Sequence, residues 1–293
     1  NNAIASVLGN GYVLGFNSGC TSYGLPRLKA QLVVETNRDT ITYVTGTDWK
    51  VTTDGPIQRN NLWNGERYEA AREMKNWQMP FFDDSAWKQA DKMQNPTGVV
   101  CPQPCNGMRI QKELSPKSIR RTDDGRIIID MGQNMVGQVS VRLAGKKGTP
   151  VVIRHAEMLE PNDSNRIFVA NLRSANCTDT YIPASDAVFT YQPQLTYQGF
   201  RYVEITGATS TPKPSDITGY VIYDLMDDQG SFWCDNELLT QLHQNAYWGI
   251  IGNYHGMPTD CPQRDERMGW LGDHAMGCYG ENLLVDNGAL YYK

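Results

Sequence analysis

The 293 residues carry 27 lysines and arginines against 32 aspartates and glutamates, a formal charge of −5, and 40% of them are hydrophobic. The basic residues form no stripe, only the isolated pairs Arg120-Arg121 and Lys146-Lys147, which argues against binding nucleic acid by phosphate neutralisation. No apolar run approaches the roughly 20 residues that cross a bilayer, and the length calls for two or three domains with separate cores.

Asn1-Asn-Ala-Ile opens without the basic start and apolar core of an export signal, so the polypeptide is expected to be soluble, with any such signal outside it. Seven cysteines spread over every region make no dense disulfide framework. Cys101 and Cys105 are the only close pair; a local disulfide and two independent thiols both fit them.

From residue 10 to about 225 the pattern is mostly β. Alternating or apolar runs at 28–35, 40–45, 126–131, 138–143, 150–155, 188–191, 200–205 and 218–224 are separated by Gly, Pro, Asn and Asp, as in stacked antiparallel sheets. The length suits two β-sandwiches, 1–115 and 116–227, with a seam where Pro96, Pro102, Pro104 and Pro116 break regular pairing. Gly132-Gln-Asn-Met-Val-Gly137 lacks the glycine spacing and following helix of a phosphate loop and reads as a turn between strands. Glu157 reads as a carboxylate occupied by loop hydrogen bonds. The aromatic residues of 61–72 and 82–87 suit a second sugar-binding surface, but read better as pins that hold a long loop on the first sandwich.

After Asp228 the character changes. Asp235 is placed to cap a helix carrying Leu238, Leu239, Leu242 and Ala246 at helical spacing. A second helix is expected to start near 272–274 and to turn Ala275, Met276, Leu283 and Leu284 inward. Two helices cannot bury each other's stripes alone, so 228–293 reads as the first layer of a larger helical domain.

Between the helices lies Asp260-Cys-Pro-Gln-Arg-Asp-Glu-Arg-Met-Gly-Trp-Leu-Gly-Asp273, four carboxylates and two guanidiniums around a tryptophan, broken by Pro262, Gly269 and Gly272. Such neighbours can hold each acid in its own protonation state. Glu266, beside Met268 and Trp270 and among like charges, is expected to have a raised pKa and to serve as general acid. Asp260 and Asp273 suit vicinal hydroxyls, Arg264 can fork onto further oxygens, and Trp270 offers a face for a pyranose ring. Acids that bind hydroxyls beside an aromatic platform point to carbohydrate, with a structural ion-pair network as the rival. His255 and His274 could join these acids around an ion, but no metal-ligand spacing supports a metal site.

With these residues in view, the chain resembles the bacterial α-L-rhamnosidases, glycoside hydrolase family 78. Asn64-Gly-Glu-Arg-Tyr-Glu-Ala-Ala-Arg72 and Phe82-Asp-Asp-Ser-Ala-Trp87 are similar to that family's N-terminal sandwich. Asp130-Met-Gly-Gln-Asn-Met-Val-Gly137, Arg154-His-Ala-Glu-Met-Leu-Glu160 and Gly199-Phe-Arg-Tyr-Val-Glu-Ile205 are similar to its concanavalin-like sandwich. Ser231-Phe-Trp-Cys-Asp235 and 260–273 are similar to the entry of its (α/α)6 toroid. The resemblance implies a mainly β chain with a helical C-terminal part, two jelly-roll or concanavalin-like sandwiches followed by the first toroid helices at 228–293. It also implies an inverting hydrolase of terminal α-L-rhamnosides in which Glu266 is the general acid, Asp260, Arg264 and Asp273 hold sugar hydroxyls, and Trp270 walls the pocket.

In the family the general base is a glutamate on a much later helix, so the isolated chain is expected to be inactive. No cofactor is required; calcium at a sandwich loop is compatible with the sequence but not demanded by it. The implied partner is an L-rhamnoside, with neither nucleic acid nor membrane, and a homodimer is left open. Exported enzymes of this architecture favour a periplasmic or secreted location. A non-catalytic carbohydrate-binding or scaffold fragment is the alternative.

Overall fold

The computed structural model describes residues 2–11, 25–94 and 99–292, so Pro96 of the expected seam lies outside the described residues. Strands β1 (Gln31–Glu35) and β2 (Thr40–Val44) form an antiparallel ribbon. Then come β3 (Lys50–Val51), β4 (Ile57–Asn61), β5 (Gly65–Glu69) and β6 (Lys88–Gln89), with β3 and β6 paired in a second ribbon. Next are β7 (Met108–Leu114), β8 (Ser118–Arg121), β9 (Ile127–Ala144) and β10 (Val151–Ala156). A small hairpin of β11 (Met158–Glu160) and β12 (Asp163–Phe168) leads to β13 (Thr178–Ile182), β14 (Val188–Tyr191), β15 (Gln198–Thr206) and β16 (Ile217–Asp224). Ten of these build one curled sheet in the order β4-β5-β13-β10-β15-β9-β16-β7, with β8 and β14 also on β9.

Strand β9 organises the sheet. Ile127, Ile129, Met131, Met135, Val139, Val141 and Leu143 keep a period of two along it, and each is at most 3% exposed. The glycine-bounded segment expected as a turn runs inside this strand. Both of its flanks pair with β15, Ile127–Asp130 and then Met135–Gly137, with a register shift between Phe200 and Tyr202, so the chain bulges and continues rather than reversing. Gly137 has φ 152°, and a Cβ there would run into the carbonyl oxygen of Tyr220 on β16, so only glycine permits that pairing.

The sheet also crosses the seam expected at 115/116. Strands β4, β5 and β7 lie before that seam and belong to the ten-stranded sheet, β5 running parallel to β13. Gly65, at φ 89°, allows this, because a side chain there would meet the backbone of Thr178. Trp63 accordingly does not pin a loop to the first ribbons. With Leu62 it packs against Val136, Leu172, Ala175, Cys177 and Tyr197. Cys101 and Cys105 are both free thiols.

Three helices close the chain: α1 (Glu237–Ile251), α2 (Leu271–Glu281) and α3 (Gly288–Tyr292). The cap of α1 is Asn236, not Asp235; its Oδ1 accepts from the amides of Leu238 and Leu239. Asn236 sits one residue closer, where a short side chain reaches the second and third helical amides. Ile251, Tyr254, Val285 and Leu290 join the main core. Of the stripes expected to turn inward, Leu284 packs on the main core, while Leu238, Leu242, Met276 and Leu283 stay open, each more than 60% exposed.

Arg267 ties the helical segment to the sheet. Its residue is fully buried, and all three guanidinium nitrogens donate: Nε to the Arg264 carbonyl at 3.1 Å, Nη1 to the carbonyls of Leu62 at 2.7 Å and Tyr197 at 2.9 Å, Nη2 to Gln198 Oε1 at 2.8 Å and the Gln263 carbonyl at 2.9 Å. It also lies over the Tyr197 ring. Its φ of 57°, unfavourable for a residue with a side chain, is held by those bonds.

Two expected outcomes test these features. Arg267→Ala strands buried carbonyls and opens a cavity, and should cost about 3–5 kcal/mol in chemical denaturation; a loss under 1 kcal/mol would contradict the junction. Asp179, fully buried, accepts from the Glu66 amide at 2.8 Å, and burial above all, with Glu66 nearby, pushes its pKa up to about 7. Its folded pKa is raised, so its stability contribution is present below the unfolded pKa and lost as pH rises through about 7. Asp179→Asn should therefore gain stability over the parent between pH 4 and 8. Parallel stability curves for the two proteins would refute this.

Candidate active site

The segment between α1 and α2 is irregular, as its proline and glycines require, and two features shape it. The Asp260 carboxylate, its side chain 2% exposed, accepts from the Met268 amide at 2.8 Å while the Asp260 amide donates to the Met268 carbonyl at 3.0 Å, pinching the loop at its base. Arg267 then pulls the middle of the loop into the protein, and Glu266 is left at the rim.

Four of the five residues singled out converge. Arg264 Nη2 lies 3.3 Å from Asp260 Oδ2 and 3.0 Å from Glu266 Oε2, so one guanidinium bridges both acids. The Trp270 indole N–H donates to Glu266 Oε1 at 3.0 Å, and the Trp270 ring is 49% exposed, open on one side. Asp260 serves the loop more than the rim, because one of its oxygens is committed to the backbone. Asp273 is not brought in: it lies exposed in the first turn of α2, and no hydrogen bond or ion pair ties it to the other four among the described residues.

The sequence did not reveal the groups that reach the loop from the sheet. Arg173 Nη2 lies 2.5 Å from Glu266 Oε2, and its Nε lies 2.7 Å from Asp265 Oδ1. Ser174 donates its hydroxyl to Asp265 Oδ2 at 2.5 Å, and the Trp63 indole donates to the Glu266 carbonyl at 3.3 Å. These partners stand 91 to 203 residues away in the chain, beyond any local pattern.

They overturn the expected protonation of Glu266. Burial raises its pKa, but the hydrogen bond from Arg173, the charges of Arg264 and Arg173 and the Trp270 N–H outweigh that and hold the carboxyl below the ordinary glutamate value. The expectation counted the neighbouring carboxylates and could not see the second cation. Asp265 is likewise lowered: burial opposes ionisation, while the Ser174 hydroxyl and amide and the Arg173 charge favour it more strongly.

Asp260, Cys261 and Glu266 bring three potential ligand atoms within 4.8 Å of one another. They fit a cation poorly. Arg264 already bridges the two carboxylates, and burial, then the hydrogen bond to Asp260, pushes the Cys261 thiol up to about 11, so it offers a neutral sulfur. His255 is buried, its Nε2 2.8 Å from the Ile222 carbonyl and its ring stacked on Tyr197, so it faces the sheet rather than this cluster. Glu157 accepts from Asn134 and Asn171 at 3.0 Å each, the loop bonding expected of it.

This arrangement has relatives. Residues 1–112 match the α-L-rhamnosidase N-terminal domain, 120–223 the bacterial α-L-rhamnosidase concanavalin-like domain and 227–293 the bacterial α-L-rhamnosidase six-hairpin glycosidase domain. An α-L-rhamnosidase of Streptomyces avermitilis is 41% identical over 278 residues, covering 93% of this chain and 27% of that protein. The crystal structure of a Streptomyces avermitilis α-L-rhamnosidase complexed with L-rhamnose superposes with a TM-score of 0.87 at 38% identity, over 92% of this chain and 26% of that one. The α-L-rhamnosidase structure from Dictyoglumus thermophilum gives 0.87 at 36% identity, over 92% of this chain and 30% of that one. The chain thus spans about a quarter to a third of the length of such relatives. Among the described residues, no helix is long and apolar enough to cross a membrane. Three domain matches of one kind, in order along a mostly β chain that ends in helices, show that it belongs to the bacterial α-L-rhamnosidase family.

Proposed function

We propose that these residues form the sugar-binding and proton-donating part of a glycoside hydrolase that removes terminal non-reducing α-L-rhamnose by an inverting acid/base mechanism. The observation that carries this reading is the convergence of Glu266, Arg264 and Trp270 at an open rim, above a carboxylate that fixes the loop. The open Trp270 face takes the C–H side of the ring, Arg264 takes hydroxyl oxygens, and Glu266 protonates the departing glycosidic oxygen. Asp273, exposed in the first turn of α2, meets a further hydroxyl of the sugar in this reading. The attacking water needs a second carboxylate roughly 6.5–9.5 Å from the acid on the other face of the ring. We place that base outside residues 1–293.

An acid must hold a proton, and in the open site Glu266 is ionised. A sugar that inserts its hydroxyls between Arg264 and the carboxylate removes one of the two cation contacts that stabilise the anion, leaving that of Arg173, and so raises the pKa where the proton is needed. The low pKa also favours a second reading, sugar binding without turnover, in which Glu266 only accepts hydrogen bonds.

Both readings can be tested with an aryl α-L-rhamnoside and a protein that carries this chain at its relatives' full length. Glu266→Gln should lower kcat by about 10²–10⁴-fold with rhamnose affinity nearly kept; full turnover in this variant rules the acid assignment out, and absence of turnover in the parent favours the binding reading. The alkaline limb of kcat should lie at higher pH than that of kcat/KM, because the first reports the sugar-bound acid and the second the free one. Coincident limbs would refute the shift on binding.

A further inference from the structure

The turn that carries Arg173 is built in an unusual way. A short 3-10 helix, Ala170–Leu172, ends at Arg173 with φ 55° and ψ −116°. That positive-φ backbone lies outside the left-handed helical well and costs a residue with a Cβ roughly 1–3 kcal/mol. On either side the chain is anchored: Leu172 and Cys177 are fully buried, Ala175 nearly so, and the Cys177 amide donates to the Trp63 carbonyl at 3.0 Å. Between these anchors the Arg173 side chain is half exposed and aimed at the loop of the candidate site.

Stability does not explain the strain. An ion pair as exposed as this one adds roughly 0–1 kcal/mol, no more than the backbone costs. Backbone strain that the fold does not need points to a function at that residue. Arg173 and Ser174 together grip two consecutive acids: Arg173 bridges Asp265 at 2.7 Å and Glu266 at 2.5 Å, and Ser174 closes on Asp265 through its hydroxyl at 2.5 Å and its amide at 3.3 Å.

We propose that Arg173 is a positioning residue of the active site, contributed by the sheet, which with Ser174 clamps Asp265 and thereby fixes the rotamer and charge of the Glu266 carboxyl. This rests on the reading of Glu266 as the acid. The clamp divides labour between the two oxygens of Glu266. Oε2 faces the two guanidiniums, and among the described residues Oε1 accepts from the Trp270 N–H alone, at the open rim. The proton that is passed on therefore belongs on Oε1, on the side where the sugar enters. Among the described residues, the charged groups paired with this carboxyl are Arg173 from the turn and Arg264 from the loop; Asp265 shares Arg173, Asp260 shares Arg264, and the Cys261 thiol lies within 4.8 Å.

The test compares Arg173→Gln with Arg173→Lys, and with Ser174→Ala as a variant that keeps the cation. In the 293-residue chain with ¹³C-labelled glutamate, the Glu266 carboxyl should titrate at higher pH in Arg173→Gln and near the parent value in Arg173→Lys. In the full-length relative-sized protein, Arg173→Gln should move the alkaline limb of kcat/KM upward and lower kcat about 10–100-fold with KM little changed. Ser174→Ala should lower kcat without moving the limb. A folded Arg173→Gln whose Glu266 titration and alkaline limb both match the parent overturns the proposal. The failure of the acid reading is separate: it would show as an active Glu266→Gln, whatever Arg173 does.

Discussion

The buried guanidinium of Arg267 is the constraint on which the arrangement depends. A charge taken out of water is expensive unless every donor finds an acceptor. Here the acceptors come from three distant stretches of chain: Leu62 before β5, Tyr197 and Gln198 at the start of β15, and Gln263 and Arg264 in the loop itself. They can be supplied together in one conformation only, so the arginine fixes where the loop lies relative to the sheet. Glu266 is its immediate neighbour in sequence, and its position is set before any contact of its own is counted.

Around that fixed point the electrostatics are arranged asymmetrically. Two guanidiniums, one from the loop and one from the sheet, face one oxygen of Glu266, and a neutral indole faces the other. A carboxylate in that field is ionised when the pocket is open to water, and its proton affinity depends on what lies between it and the cations. Desolvation, the argument that the flanking tryptophan and methionine suggest, has the right sign for an acid and is the largest single influence here, but the two cations and the Trp270 N–H together outweigh it.

How much of this could be read from the sequence follows from the range of each interaction. Asp260, Arg264, Glu266 and Trp270 span only eleven residues, and the proline and glycines among them force the chain to fold back, so their convergence was legible. Half of the ten strands of the curled sheet, β9, β10, β14, β15 and β16, were legible too, through alternation, whereas β4, β5, β7, β8 and β13 carry too little apolar alternation to stand out. The continuity of β9 was not, because a bulge and a turn use the same glycines and asparagines; what separates them is whether both flanks meet the same neighbour. The cap of α1 was missed by one residue, since Asp235 and Asn236 are equally good cappers and only the geometry chooses. Arg173, Ser174 and Trp63 were invisible for a different reason: no local pattern marks a side chain whose partner lies 91 residues or more away.

The path of β9 also dictates an order of events during synthesis. β8 is already made and can cover Ile127–Asp130, but the first half of β9 also needs β15 and its second half needs β14 and β16, so most of an eighteen-residue strand waits with open edges while some eighty more residues leave the ribosome. Closing such distant pairs is entropically slow, and an unpaired edge of that length invites association with other nascent chains. In the finished sheet β8, β14, β15 and β16 all pair with β9, which takes its edges out of reach of a foreign strand.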